Sequence, residues 1–222
     1  GSYRDGDVAG FVESVVPIVQ GAQQHAVTLT DAYLASRMGA DPFGLGVDTL
    51  RLRGVPLEEV YSRPFATVWT ALSKGSDVAA ALAAGRARAV STAEMDVALA
   101  TRDGASEWMS GDDRITGYER IPDGGACDFC LLASTQRYGK EDLMPLHNRC
   151  GCTVDPITAD DRRGSILNRQ LLDDLNAKGV TVYDGGKVRT YGGTGQGAAM
   201  AVHDHGELGP LITNAHDDFT SL

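Results

Sequence analysis

All four cysteines of the chain fall between positions 127 and 152. Cys127 and Cys130 form C-x2-C, and Cys150 and Cys152 form C-x-C, with nineteen residues between the pairs. His147 stands three positions before Cys150, so the whole pattern is C-x2-C-x16-H-x2-C-x-C. A zinc ion needs four donors in a tetrahedron, with sulfur at about 2.3 Å. A C-x2-C pair on a tight turn presents two thiolates to one ion. Cysteines at i and i+2 of a strand point to the same side and can supply the rest. Phe129 and Leu131 would pack behind such a turn. Five donors stand ready for four positions. The first assignment is Cys127, Cys130, Cys150 and Cys152 with His147 nearby, and the alternative puts His147 in place of Cys150 or Cys152. Either set is closed to substrate, which makes the site structural rather than catalytic. Two other readings compete: disulfides, which need an oxidising compartment, and unpaired core cysteines.

Around this cluster the chain changes character. Val8, Phe11, Val15, Ile18, Ala22, Leu29 and Tyr33 recur at a three/four spacing, which predicts a helix from residue 7 to about 40 with these residues inward. Pro17 lies inside it and predicts a kink or break. Residues 41–54 carry Pro42, Gly44, Gly46 and Gly54 and read as a loop. A second helix is predicted from Pro56 to Leu72, interrupted at Pro64, with Ser62 as the cap of its second part. A third runs from an Asp77 cap to about Thr101, with Val78, Leu82, Ala89, Ala93 and Val97 inward. Its many alanines suit the central helix of a bundle. Arg114–Ile121 alternates and reads as a strand. After Pro156 a helix is predicted, with Ile166, Leu167, Leu171, Leu172 and Leu175 on one face and Gly179 as its stop. Val180–Tyr183 and Lys187–Tyr191 flank Asp184-Gly185-Gly186, a hairpin signal. Residues 193–222 read as a glycine-rich linker and tail.

This gives an α+β fold in four parts: a helical region (1–112), a cysteine-cluster β unit (113–157), a helix plus hairpin (158–192), and the linker and tail (193–222). The helical region is expected to pack on the small zinc-stapled β unit. Aromatic residues make up only 6% of the 222 residues, while glycines number 27, so a metal staple would compensate for a thin core. The formal charge is −10, which makes the surface as a whole a poor partner for a polyanion. No stretch approaches the ~20 apolar residues of a membrane-spanning helix, and the first residues lack the apolar core of a signal peptide.

The stretch Tyr118-Glu119-Arg120-Ile121, Cys127-Asp128-Phe129-Cys130, Tyr138-Gly139, His147-Asn148-Arg149-Cys150-Gly151-Cys152-Thr153-Val154 and Pro156 resembles the phage Mu protein F-like minor head proteins, the head morphogenesis family. That family runs strand, C-x2-C, variable loop, then a His-Pro-x-Cys-x-Cys-like strand ending in proline. Asn148 departs from it where the family has proline. The resemblance covers about 40 residues. A narrower likeness lies in the tail, where His203-Asp204-His205-Gly206-Glu207-Leu208-Gly209-Pro210-Leu211 and Asp218-Phe219-Thr220 look like the ending of minor capsid proteins from phages of actinobacteria. The resemblance implies a virion component at the head interior and portal vertex, assembled in the host cytoplasm, with portal and major capsid proteins as partners. It implies no enzymatic activity, no membrane and no specific nucleic-acid binding, although packaged DNA would lie nearby.

The alternatives are a zinc-dependent, nuclease-like enzyme acting on nucleic acid and a protease-associated capsid maturation protein. For the first, Arg120 and Arg149 near the metal would touch phosphate, but two arginines make no basic patch, and the histidines such a centre needs are missing from the region. A zinc deaminase would need H-x-E before P-C-x-x-C. Here His205-Gly206-Glu207 follows Cys127 and Cys130, and Ala126 replaces the proline. His203, His205 and His216 with Glu207 or Asp217 read as solvated tail residues, and His25 as a packing or surface residue.

Overall fold

The computed structural model describes residues 5–122, 128–134, 137–140, 152–161, 177, 180–184, 187–191, 199–204 and 210–214. Among these the element order is α1 (Asp5–Met38), α2 (Thr49–Arg53), α3 (Leu57–Ser73), α4 (Val78–Gly111), β1 (Ile115–Ile121), α5 (Asp128–Ala133), β2 (Arg137–Gly139), β3 (Thr153–Thr158), β4 (Val180–Asp184), β5 (Lys187–Tyr191), β6 (Ala199–Asp204) and β7 (Pro210–Asn214). The fold is mixed, helices followed by sheets. It divides into two compact units, residues 1–31 with 44–104, and residues 32–43 with 105–222. The helix predicted after Pro156 lies outside the described residues.

The first unit is helical. Its core gathers Val16, Val19, Leu57, Val60 and Tyr61, with Phe11, Val12, Val15, Val55 and Ala93 packed against them. Phe11 meets Phe65 edge to face at 5.4 Å, a favoured aromatic geometry. The inward face of α1 is only partly the one its apolar spacing predicts: Phe11 and Val15 pack against the core, but Ile18 and Leu29 do not. Ile18 is 70% exposed and Leu29 57%, whereas Val16, Val19, Gln23, Val27 and Asp31 are buried. Two of these inward residues are polar and make hydrogen bonds, although Gln23 Oε1 is buried without a partner. Gln23 donates through Nε2 to the Asp96 carbonyl at 3.3 Å. The Asp31 carboxylate accepts from the Gly44 and Leu45 amides at 2.7 and 3.1 Å. Hydrogen bonds thus allow burial of side chains that hydropathy assigns to solvent.

Neither internal proline breaks its helix. α1 runs through Pro17 and α3 through Pro64. Pro17 is exposed, so water can reach the carbonyl that loses its donor. Ser62 does not cap a new helix, because its hydroxyl donates to the Glu59 carbonyl at 2.7 Å within α3. Asp77 does cap α4, accepting from the Ala80 amide at 2.8 Å, and α4 continues ten residues past the predicted end. Its predicted inner residues Val78 and Leu82 are exposed, while Ala81 and Gly85 are buried. The seam is made of small residues so that backbones can approach. A Cβ at position 85 would collide with Val68 Cγ2 and stand 3.0 Å from the Pro64 carbonyl oxygen.

The predicted loop also contains the short helix α2, capped by Asp48 and closed by Gly54 at φ 71°. Helix α2 delivers Arg53 into the interior. The guanidinium of Arg53 donates from Nε to Asp96 Oδ1, and Tyr61 donates its hydroxyl to Asp96 Oδ2 at 2.7 Å. Burial, followed by the Asp96 charge, pushes the Tyr61 phenol well above its ordinary range.

In the second unit β1 is the central strand of an antiparallel sheet ordered β2-β1-β3. Tyr118 faces Tyr138 of β2 and Pro156 of β3. Trp108 and Met109 of α4 are fully buried, and Phe43 stacks on Trp108 at 4.7 Å and 11°. A glycine is required at 117, because a Cβ there would run into the Tyr138 carbonyl oxygen. The colliding atom is backbone, so β2 itself would have to shift. Gly117→Ala is therefore expected to cost about 1–3 kcal/mol, the usual range for overpacking, as read from urea denaturation. A change within about 0.5 kcal/mol, typical of a surface site, would show that β2 yields freely.

A second sheet has the order β5-β4-β6-β7. The predicted hairpin is its antiparallel β4–β5 pair, with Asp184 opposite Lys187. Two further strands occupy the segment read from sequence as linker and tail. β6 runs parallel to β4, and β7 antiparallel to β6. A parallel pair needs a long connection, and β5 with residues 192–198 provides it.

Candidate metal centre

The chain order around the cysteines converges on one end of the first sheet. Ile121, the last residue of β1, pairs with Thr153, the first of β3, and Glu119 pairs with Arg137, the first of β2. The end of β1 and the starts of β2 and β3 therefore lie together. Helix α5 sits in the connection from β1 to β2 and carries Cys130, while Cys152 immediately precedes β3. Cys130 is 1% exposed and Cys152 partly exposed. The short helix is tied down at its end, where the Ser134 amide donates to the Cys130 carbonyl at 2.9 Å and the Tyr138 hydroxyl donates to the Ala133 carbonyl at 2.8 Å.

Cys127, His147 and Cys150 lie outside the described residues. Among the described residues no group of three or more histidine, cysteine or acidic side chains is placed to hold a metal ion. Cys130 and Cys152 are the predicted ligands among the described residues. Cys130 lies in the β1–β2 connection and Cys152 directly before β3, and thiolates are donors that suit a tetrahedral zinc.

The sheet beneath this end is aromatic and charged. Tyr118 and Tyr138 stack at 5.2 Å, and the Arg120 guanidinium lies over the Tyr138 ring, 5.8 Å from its centroid. Burial raises the Tyr138 phenol, with the Arg120 charge opposing it. Arg120 is only 4% exposed, so it presents no surface to a phosphate, as a nucleic-acid enzyme would require of it. Arg149, His205, Glu207, His216 and Asp217 lie outside the described residues. His203 sits in β6 opposite Leu211, and His25 is exposed on α1.

The structure adds an ion pair that no local spacing reveals. Asp155 of β3 is buried and takes two hydrogen bonds of 2.6 Å from Arg37 Nε and Nη2. The Tyr33 hydroxyl donates to the same carboxylate at 3.4 Å. Burial, reinforced by the Asp155 charge, raises the Tyr33 phenol. The fork of Arg37 matches a carboxylate in the two-bond geometry that makes such pairs strong. The partners are 118 positions apart, beyond the reach of any sequence periodicity.

A cleft of about 400 Å³ opens beside this pair, lined by Arg37, Met38, Asp113, Arg114, Thr116, Thr158, Ala159 and Asp160. Arg114 is forked onto Asp112 at 2.6–3.1 Å and also donates to the Met38 carbonyl at 3.1 Å. The hydrogen bonds from the Arg114 side chain hold the Asp112 carboxyl below its usual range. Arg37 and Arg114 share this lining with Asp113 and Asp160, and each arginine is already paired with a carboxylate of its own, so the cleft is no anion site. Its lining contains no histidine or cysteine that would serve as base or nucleophile.

Among the described residues no helix is long and apolar enough to cross a membrane. Comparison with protein-family models, with curated proteins and with solved structures gave no match.

Proposed function

We propose that the chain is a non-enzymatic phage minor head protein of the Mu protein F-like type, located in the head interior at the portal vertex and contacting portal and major capsid proteins. The observation that carries this reading is the agreement between motif and topology. The C-x2-C half follows β1 in the chain, Cys152 of the C-x-C half directly precedes β3, and the end of β1 is paired with the start of β3. The strand, C-x2-C, loop, C-x-C strand and Pro156 order is the family's order, and Pro156 lies within β3.

In this reading a structural zinc ion is held by four of Cys127, Cys130, Cys150, Cys152 and His147. When bound, zinc supplies a cross-link between chain segments far apart in sequence, which a thin core needs. Cys130 contributes from a short helix pinned to β2, and Cys152 from the entry to β3. The arginines nearby act in packing: Arg120 is covered by Tyr138, and Arg37 clamps β3 through Asp155. The test is the position and copy number of the protein in assembled heads, read by quantitative mass spectrometry and by imaging of heads carrying a labelled copy. A small fixed number at the portal vertex is the expected result. Purified heads that contain none of the chain would end the proposal.

A further inference from the structure

From Ser14 to Thr30 helix α1 contains no Asp, Glu, Lys or Arg. In a chain that is 23% charged the outward half of such a stretch is where charge should concentrate. Instead the exposed face presents Ile18, Ala22, His25 and Leu29. Their spacing of four, three and four is the 3.5-residue repeat of a helix–helix seam. Gly21 beside Ala22 removes bulk at the middle of the seam and allows close approach.

We propose that this face of α1 is a self-association surface that packs against α1 of a second copy in antiparallel register. Two arguments select a second copy as the occupant. The first is charge. At −10, two copies repel over most of their surfaces, and the uncharged face of α1 is where they can meet without that penalty. The second is self-complementarity, which a twofold interface demands. An antiparallel pair centred between positions 23 and 24 sets Ile18 of one copy against Leu29 of the other, and Ala22 against His25. Large apolar residues then meet at both ends, and the small alanine receives the imidazole ring in the middle. A parallel pair would instead oppose His25 to His25. The stretch is about 25 Å long at 1.5 Å per residue. At about 10 Å across, the width of one helix, such a strip covers far less than the roughly 800 Å² per partner of a stable interface, so the dimer is weak and reversible.

The test uses the full chain. Sedimentation equilibrium is expected to show a monomer–dimer equilibrium with Kd on the order of 100 µM. The double variant Ile18→Asp, Leu29→Asp is expected to weaken it at least tenfold while far-UV circular dichroism and the melting temperature at low concentration stay unchanged. A photo-crosslinking residue at position 22 is expected to capture position 25 of the other copy. A chain that is monomeric throughout the accessible range, or a dimer indifferent to the two aspartates, overturns the proposal. So does a variant whose monomer melts several degrees lower, since that would mean that the chain's own residues cover the face.

Discussion

Replacing Asp96 by alanine is expected to destabilise the helical unit by about 3–5 kcal/mol, the range for removing one partner of a buried ion pair. Asp96 is 1% exposed and Arg53 5%. The alanine variant would leave the Arg53 guanidinium in the interior with its countercharge gone. It would also strip the Tyr61 hydroxyl of its acceptor, and Tyr61 is fully buried. Because a domain's whole stability is about 5–15 kcal/mol, the loss should appear as a large drop in the urea midpoint followed by helical circular dichroism. The double variant Arg53→Met, Asp96→Leu separates the two contributions. If the penalty comes from a stranded charge, the apolar pair recovers most of it, because replacing both partners of a buried pair is often close to neutral. If the double variant is as unstable as Asp96→Ala, the carboxylate's bond with Tyr61 dominates instead. Asp96→Asn keeps an acceptor for Tyr61 while losing the charge, and should fall between wild type and alanine.

The same cluster shows why part of the fold was legible in sequence and part was not. Features that rest on neighbours within a few residues were readable. The Asp77 cap, the strand before the cysteines and the hairpin around Asp184-Gly185-Gly186 are of this kind, since each needs only local backbone chemistry. On α1 the apolar spacing finds Phe11 and Val15, which pack on the core, but fails at Ile18 and Leu29, because the inward positions farther along include Gln23 and Asp31, buried with partners outside the helix. In α4 the buried seam is Ala81 and Gly85, too small to register as hydrophobic, and the bulkier Val78 and Leu82 drew the assignment outward. The strands β6 and β7 leave no local trace, because β6 pairs in parallel with β4 only after the chain has passed through β5 on the other side of β4. At the cysteine cluster, spacing named the residue types. Only the pairing of Ile121 with Thr153 sets the end of β1, which the first half follows in the chain, beside the start of β3, which the second half precedes.

Chelation should then act on one part of the chain and spare the other. Structural zinc contributes about 10–16 kcal/mol in small peptides, comparable with or above the ~5–15 kcal/mol of a whole domain. On the proposed structural-zinc reading, stripping the metal is therefore expected to melt the sheet β2-β1-β3. The stacked Tyr118 and Tyr138 report on this directly, so their share of the near-ultraviolet circular dichroism should be lost while that of Tyr61 in the helical core remains. Far-ultraviolet helical signal should largely persist, because α1 and α3 bury a core of their own. Metal analysis should give one zinc per chain, and cobalt substitution should give the charge-transfer bands of thiolate ligation. Cys127→Ser and Cys130→Ser should each abolish binding, since both ligand sets use these residues. His147→Ala leaves the cobalt spectrum unchanged if the four cysteines are the ligands. Tolerance of Ser at 150 or 152, with His147→Ala not tolerated, identifies the mixed set. Absence of metal, with thiols blocked to alkylation until reduced, would replace zinc by disulfides. Chelator-sensitive cleavage of DNA or peptide by the pure protein would sink the structural role altogether, because a closed four-ligand site has no position at which to activate water.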